Sequence, residues 1–285
     1  MVSRTEKVIS FYENPGMKDW WKTTETHSFH YGYYENHYRT HAAAILHMND
    51  IAWNLLQLDG EKPLQILDAG CGVGGTTIYL AEKYPLVIFT GIAIAPSEIE
   101  LATEFAAQNN VTKNTRFLQN NYSRTSFPDC SFDGIIALES INYAQNTKEF
   151  LQEMYRVLKP GGRLVILDGF RIRRKLSPLM QRVYHHWASG RAIDDLVSID
   201  DCVQLMNEED FQQISARDIS SHTAASQLRG VVIGLPFFFS ILIKTIASLN
   251  RYKRSDDQFY MGVSFCGGLL AVSGFTKYYA ITAQK

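Results

Sequence analysis

A chain of 285 residues, 46% hydrophobic and 20% charged, is long enough to bury a sizeable core and too apolar to remain disordered. A formal net charge of −1 gives no electrostatic reason to expect a nucleic acid as partner. The four cysteines, Cys71, Cys130, Cys202 and Cys266, form no CxxC pair, so neither a zinc site nor a disulfide framework is indicated, and a reducing, cytoplasmic location is expected.

The first seven residues, Met1 to Lys7, are charged and precede no long apolar run, which argues against secretion. Residues 1–60 hold two helical patterns around an aromatic loop. In the first, Val8, Ile9, Phe11 and Tyr12 form an apolar patch that the turn signal Asn14-Pro15-Gly16 interrupts. The loop carries Trp20-Trp21 and then Ser28-Phe29-His30-Tyr31-Gly32-Tyr33-Tyr34. Aromatic side chains with polar tips either fill a core or wall a ligand pocket. A second helical pattern, from about Tyr38 to Leu58, leads into the first strand.

The organising stretch is Ile66-Leu67-Asp68-Ala69-Gly70-Cys71-Gly72-Val73-Gly74-Gly75-Thr76-Thr77. An apolar run ends in an acid, a glycine-rich turn follows, and a helical pattern runs to about Tyr84. Glycines there admit positive φ and let a ligand approach the backbone closely. The spacing Gly70-x-Gly72-x-Gly74 is not the dinucleotide fingerprint, and Asp68 would repel a pyrophosphate. A nucleoside with a cationic tail suits the acid better.

Further strands are expected at Leu86–Ile92, Thr115–Gln119 and the run ending Ala137-Leu138-Glu139-Ser140, which puts Glu139 on the rim where open α/β sheets bind ligands. Pro96-Ser97-Glu98 reads as a helix start, and Lys159-Pro160-Gly161-Gly162 as a helix stop before a fifth strand that ends at Asp168. Arg171, Arg173, Arg174 and Lys175 then form a basic cluster. It is either a solvated face or a site for a phosphate or carboxylate. A helix over Leu179–Trp187 carries His185 and His186, which lack the spacing of a metal pair, so no metal ligand set is assigned. A small helix is expected over Ser198–Asn207, a sixth strand over Phe211–Ile219 and a last strand over Tyr278–Gln284. Between the last two strands, Leu228–Leu249 is an apolar segment that Pro236 divides. It is too short to span a bilayer comfortably and suits a lid, an oligomer contact or an interfacial surface; Arg251, Lys253 and Arg254 follow it.

The run D-A-G-C-G-V-G-G, with F-P-D-C-S-F-D and R-V-L-K-P-G-G following in order, resembles the class I S-adenosylmethionine-dependent methyltransferases. Phe11-Tyr12-Glu13 and Ser28-Phe29-His30-Tyr31-Gly32-Tyr33 are similar to the N-terminal region of the sterol, tocopherol and prenyl diphosphate C-methyltransferase group. The resemblance implies an α/β fold: a Rossmann-like seven-stranded sheet with helices on both faces, an N-terminal helical cap and a helical insert before the last strand. Residues 1–60 would be the cap, 61–170 the cofactor-binding core, and 171–285 the substrate-binding helices and last strands of the same domain.

The resemblance implies S-adenosylmethionine as cofactor, held by Asp68, Gly70, Cys71, Gly72 and Gly74 at the loop and by Ile92, Ala93 and Leu138 at strand ends. Asn120, Asn121 and Tyr122 would bind it as well, with Asn121 at the adenine amino group. Two departures stand out. Ala93 occupies a position where the family often carries a ribose-binding acid, and Asn121 replaces an Asp, although its carbonyl oxygen can still accept a hydrogen bond. For catalysis the resemblance points to Glu139, with His30, Tyr31 and Tyr33 around the reaction centre. Tyr12, Trp20, Tyr34, Arg171, Arg173, His185 and Phe238 would bind substrate.

The expected reaction is C-methylation of a lipophilic isoprenoid, with a prenyl diphosphate slightly favoured and ring closure of the resulting cation allowed. A diphosphate would bring Mg2+ with it. O-, N- or ring C-methylation of a phenolic or aromatic natural product is the alternative within enzymes. A non-catalytic S-adenosylmethionine-binding regulator is the alternative outside them. The apolar segment is compatible with peripheral membrane contact or a homo-oligomer.

Overall fold

Alternation of apolar side chains decides how the central strands sit. Ile66, Ile136, Val165 and Ala280 face one core, while their neighbours Leu67, Ile135, Ile166 and Ile281 face another. Strands that bury both faces must lie in the middle of a layered α/β structure. The computed structural model describes residues 3–15, 21–22, 24–35, 40–172, 175–248 and 266–285, and for 234 and 236–248 the helical backbone without the side chains. Trp20, Arg173, Arg174, the run 251–254 and the side chain of Phe238 lie outside the described residues.

The elements in chain order are α1 (Arg4–Tyr12), α2 (His41–Leu56), β1 (Gln65–Ala69), α3 (Gly75–Lys83), β2 (Ile88–Ala93), α4 (Pro96–Gln108), β3 (Thr115–Gln119), β4 (Phe132–Leu138), a 3-10 turn (Ile141–Tyr143), α5 (Thr147–Val157), β5 (Leu158–Arg171), α6 (Pro178–Gly190), α7 (Ile199–Glu208), β6 (Gln212–Asp218), α8 (Ser220–Ser248) and β7 (Thr276–Gln284). A further helical stretch covers 266–272. The seven strands form one sheet in the order β3-β2-β1-β4-β5-β7-β6. All central pairs are parallel, and β7 runs antiparallel to both β5 and β6.

Helices α2, α3 and α4 supply Met48, Trp53, Leu80, Leu101 and Phe105 to one face of the sheet, and α5 and α7 supply Phe150, Met154 and Met206 to the other. Phe150 is fully buried; truncating such a side chain to alanine costs roughly 3–5 kcal/mol. A third cluster joins α6 to 266–272 through Tyr184, Trp187 and Leu270. In the stretch Leu158–Gly162, pairing with β4 begins at Phe132↔Leu158, breaks, and resumes at Gly134↔Arg163, with Gly161 at φ 79° making the turn.

The apolar segment belongs to α8, a single helix of 29 residues that runs through Pro236 instead of dividing there. Among the described residues no helix is long and apolar enough to cross a membrane.

Two side chains fasten the N-terminal helix over the sheet. An Arg4 guanidinium nitrogen donates to the Asn142 carbonyl at 2.7 Å, and Glu13 accepts the Ser97 backbone N–H at the start of α4 at 2.9 Å. The carboxylate of Glu13 thus satisfies an otherwise orphaned donor at a helix N-terminus, where negative charge is favoured.

Candidate active site

The strand order reverses between β1 and β4, so a crevice opens beyond their carboxyl ends. Gly70 and Ser140 face each other across it. A Cβ on Gly70 would lie 2.4 Å from the Ser140 Cβ, and Gly70 has φ 98°, so glycine is required there on two counts. The loop is held by the Ile92 carbonyl, which accepts the N–H groups of Gly70 and Cys71, each at 2.9 Å. Gly74, at φ 85°, is the N-cap of α3, and a Cβ there would meet the Phe117 ring at 2.9 Å. Ile92 and Gly74 therefore shape the loop from beneath, and neither lines the crevice chambers.

The crevice has two chambers that share Tyr12, Gly70, Gly72, Glu139 and Tyr143. Ala93, Asn120, Asn121 and Tyr122 line the first, with Glu98 beside them. The Tyr122 hydroxyl donates to the Ser140 carbonyl at 2.9 Å. Asn121 already accepts the Ser123 N–H through its side-chain oxygen at 2.9 Å, an Asx turn that leaves that oxygen one remaining lone pair. A Cβ on Gly72 would be 3.6 Å from Glu98 Oε1, so this carboxyl borders the glycine loop. Burial, reinforced by Glu13, pushes Glu98 up to about 8. It is protonated at neutral pH and can both donate and accept, which suits the vicinal hydroxyls of a ribose.

The second chamber is lined by Asp68, Cys71, Leu138, His30 and Tyr31 together with Asp168, Trp187, Arg191 and Tyr278. Asp68 accepts the Thr77 hydroxyl at 2.7 Å; burial pushes it up to about 6 despite that bond. Burial pushes His30 down to about 4, so the ring is neutral, with Nδ1 at 3.0 Å from the Tyr31 carbonyl. Burial and then Glu139 push Asp168 up to about 7; its Oδ1 accepts the Gly169 N–H at 2.7 Å, and its buried Oδ2 has no hydrogen-bond partner.

Glu139 occupies the centre. Its Oε1 accepts the backbone N–H of Tyr31 at 2.6 Å and the hydroxyl of Tyr278 at 3.0 Å. Burial raises its pKa, partly offset by the Tyr31 N–H, Arg191 and Tyr278. The residue has φ 49°, a left-handed backbone that costs a non-glycine residue free energy and tends to gather at functional sites. The rings of Tyr12 and Tyr143 meet edge-on 5.7 Å apart, and those of Tyr31 and Tyr278 at 5.8 Å.

Four residues expected at the site are turned elsewhere. Tyr33 is buried, stacks on His222 with ring centroids 4.3 Å apart, and donates its N–H to the Ala44 carbonyl at 2.8 Å. Tyr34 pairs its hydroxyl with His41 at 2.9 Å. Both tie the N-terminal segment to α2 and α8 instead of facing the crevice. Arg171 points to the Leu196 carbonyl and to Asp195, which draw its guanidinium away from the chamber. His185 lies on the exposed side of α6, because Tyr184 and Trp187 take the buried side.

Sequence reasoning missed Glu98, Tyr143, Asp168, Trp187, Arg191 and Tyr278. Asp168 could have been found by the rule that led to Glu139, since it too follows the last residue of the parallel β4–β5 pairing, although β5 itself runs on to Arg171 beside β7. Around Glu98 the sequence marks only a helix start. Nothing in the local sequence marks Arg191.

A family profile described as a methyltransferase domain matches residues 67–166. The chain is 27% identical over 238 residues to norajmaline N-methyltransferase of Rauvolfia serpentina, covering 79% of this chain and 80% of that protein. It is 27% identical over 198 residues to a sterol 24-C-methyltransferase of Neurospora crassa, covering 64% of this chain and 50% of that protein. The fold matches geranyl diphosphate C-methyltransferase from Streptomyces coelicolor, solved with Mg2+, geranyl diphosphate and S-adenosyl-L-homocysteine, with TM-score 0.72 at 15% identity, covering 99% of this chain and 97% of that one. The two chambers suit S-adenosylmethionine: glycine backbone and Glu98 for the nucleoside, Asp68 and the unpartnered Asp168 oxygen for cationic groups. The glycine loop and the sheet order give the chain the fold of the class I S-adenosylmethionine-dependent methyltransferases, and residues 67–166 match a methyltransferase domain.

Proposed function

We propose that this methyltransferase alkylates an alkene carbon of a lipophilic, isoprenoid-like acceptor. The observation that carries the reading is Glu139, a half-buried carboxylate in a chamber walled by Tyr12, Tyr31, Tyr143, Tyr278 and Trp187. Bound S-adenosylmethionine supplies a methyl group on a sulfonium sulfur. As the alkene π pair formed the new C–C bond, the methyl–sulfur bond would break, neutral S-adenosylhomocysteine would leave, and positive charge would develop on the adjacent acceptor carbon. Aromatic faces stabilise such charge, and Glu139 Oε2, which makes no hydrogen bond to any described residue, is placed to take the proton that restores the double bond. The aromatic walls also exclude water that would quench the cation. Holding acceptor and methyl in line can itself recover about 7–11 kcal/mol of barrier.

The sterol and geranyl diphosphate C-methyltransferases among the similar proteins support this acceptor class. Among the described residues no group of three His, Cys, Asp or Glu gathers to hold a metal, so Mg2+ on a diphosphate acceptor would rest on the phosphates and one or two carboxylates.

A second reading has its own support. Asp168, with a pKa of about 7 and an unpartnered oxygen in the same chamber, suits a base for an ammonium or hydroxyl acceptor, and the similarity to an N-methyltransferase agrees with it. Incubation with methyl-labelled S-adenosylmethionine and a panel of prenyl diphosphates, sterols, phenols and amines, read by product mass and NMR, decides between them. A carbon-bound methyl on a prenyl chain supports the first reading, and a methyl on nitrogen or oxygen replaces it with the second. Tight cofactor binding with no turnover of any acceptor would favour a regulator.

A further inference from the structure

The second chamber holds a guanidinium that the reaction above does not use. Arg191 is the C-cap of α6, and its backbone N–H donates to the carbonyls of Ala188 and Ser189. Its guanidinium carbon lies 5.6 Å from the Phe29 ring centroid and 5.9 Å from that of Trp187. Aromatic faces hold a guanidinium through its charge and plane and leave its N–H donors unspent. Those donors make no ion pair and no hydrogen bond with any described residue. The neighbouring cations are committed: Arg171 to Asp195 and the Leu196 carbonyl, Lys277 to Asp218.

A cation in this setting needs a reason. Burial works against the charge, and Tyr31, Tyr143, Glu139 and Tyr12 offset it from beyond ion-pair range. Trp187, Ile193 and Leu270 give the same chamber an apolar stretch of wall near Arg191. A planar fork of unspent donors at one end of an apolar wall matches an oxyanion at the head of an apolar chain.

We propose that Arg191 anchors a carboxylate or phosphate on the acceptor, so that the enzyme selects lipophilic acids over neutral lipids. The anchor fixes one end of the chain and thereby sets which carbon rests against Glu139. The inference rests on the chamber being the acceptor site of a methyltransferase, but it does not depend on the acceptor being an isoprenoid.

The test is binding to the S-adenosylhomocysteine-loaded protein, measured by calorimetry or tryptophan fluorescence below the micellar concentrations, with dodecyl phosphate, laurate and dodecanol as probes. The expected result is that both anions bind roughly tenfold or more tightly than the alcohol. Arg191→Gln should abolish that preference, and Arg191→Lys, which keeps the charge without the fork, should retain part of it. Equal affinity for the three probes in the unmodified protein overturns the proposal without any variant. So does an Arg191→Gln protein that keeps the preference but binds S-adenosylhomocysteine roughly tenfold more weakly, since the guanidinium would then serve the cofactor's carboxylate. If the anions rank first and no isoprenoid is methylated, the acceptor class proposed above fails while the anion subsite stands.

Discussion

Glu139 Oε1 accepts the backbone N–H of Tyr31 at 2.6 Å across 108 positions of sequence, joining the end of β4 to the segment that roofs the crevice. One carboxylate oxygen therefore fastens the roof, while the other makes no hydrogen bond to any described residue. Glu139→Gln keeps an oxygen for both hydrogen bonds and loses the charge. Its unfolding midpoint in urea should change little, while kcat falls roughly a hundredfold or more. Glu139→Ala leaves the Tyr31 N–H and the Tyr278 hydroxyl unpaired, and should lower stability by about 1–3 kcal/mol as well. Equal loss of stability in both variants would refute the division of labour between the two oxygens.

Three buried carboxyls make the cofactor-free protein sensitive to alkali. Asp68, Asp168 and Glu98 have ordinary values of 3.8, 3.8 and 4.5 and are pushed up to about 6, 7 and 8. The folded state thus holds these protons at pH values where the unfolded chain has released them. The stability they contribute is complete below about pH 4 and is lost as pH rises through 6, 7 and 8. Urea denaturation from pH 5 to pH 9 should show falling stability over that range. In Asp168→Asn and Glu98→Gln the fall should be shallower, and a gain at pH 8 should exceed any gain at pH 5.

Arg171 and His185 lie outside the chambers, so Arg171→Ala and His185→Ala should leave the KM of the acceptor within about twofold of its starting value, as surface changes usually do. A tenfold rise in that KM for Arg171→Ala would return the basic cluster to the acceptor site.

Gly70→Ala meets both a positive φ of 98° and the Ser140 side chain at 2.4 Å. The strand ends would have to separate, costing about 1–3 kcal/mol of stability. Loss of S-adenosylhomocysteine affinity in calorimetry should exceed that seen for Gly161→Ala, where the φ is also positive, at 79°, but the nearest atom is a flexible glutamine end at 3.8 Å.

The sequence by itself determined the β1–loop–α3 unit, the succession of strands and the placing of Glu139 at the crevice, because each rests on short-range physics. Apolar alternation, glycine at positive φ and the turn at Gly161-Gly162 act within a few residues of themselves. The tertiary structure alone decided which aromatic residues of the roof face the chamber. Tyr31 and Tyr33 are two positions apart in one irregular segment, and only the distant groups Glu139 on one side and His222 and Ala44 on the other turn the first inward and the second into the core. Arg191 was equally illegible. Its guanidinium reaches the chamber because α6 packs Tyr184 and Trp187 against the 266–272 stretch, and Phe29 arrives from the other end of the chain to cover it. Contacts of that separation are set by packing of whole layers, and no local pattern in the sequence carries them.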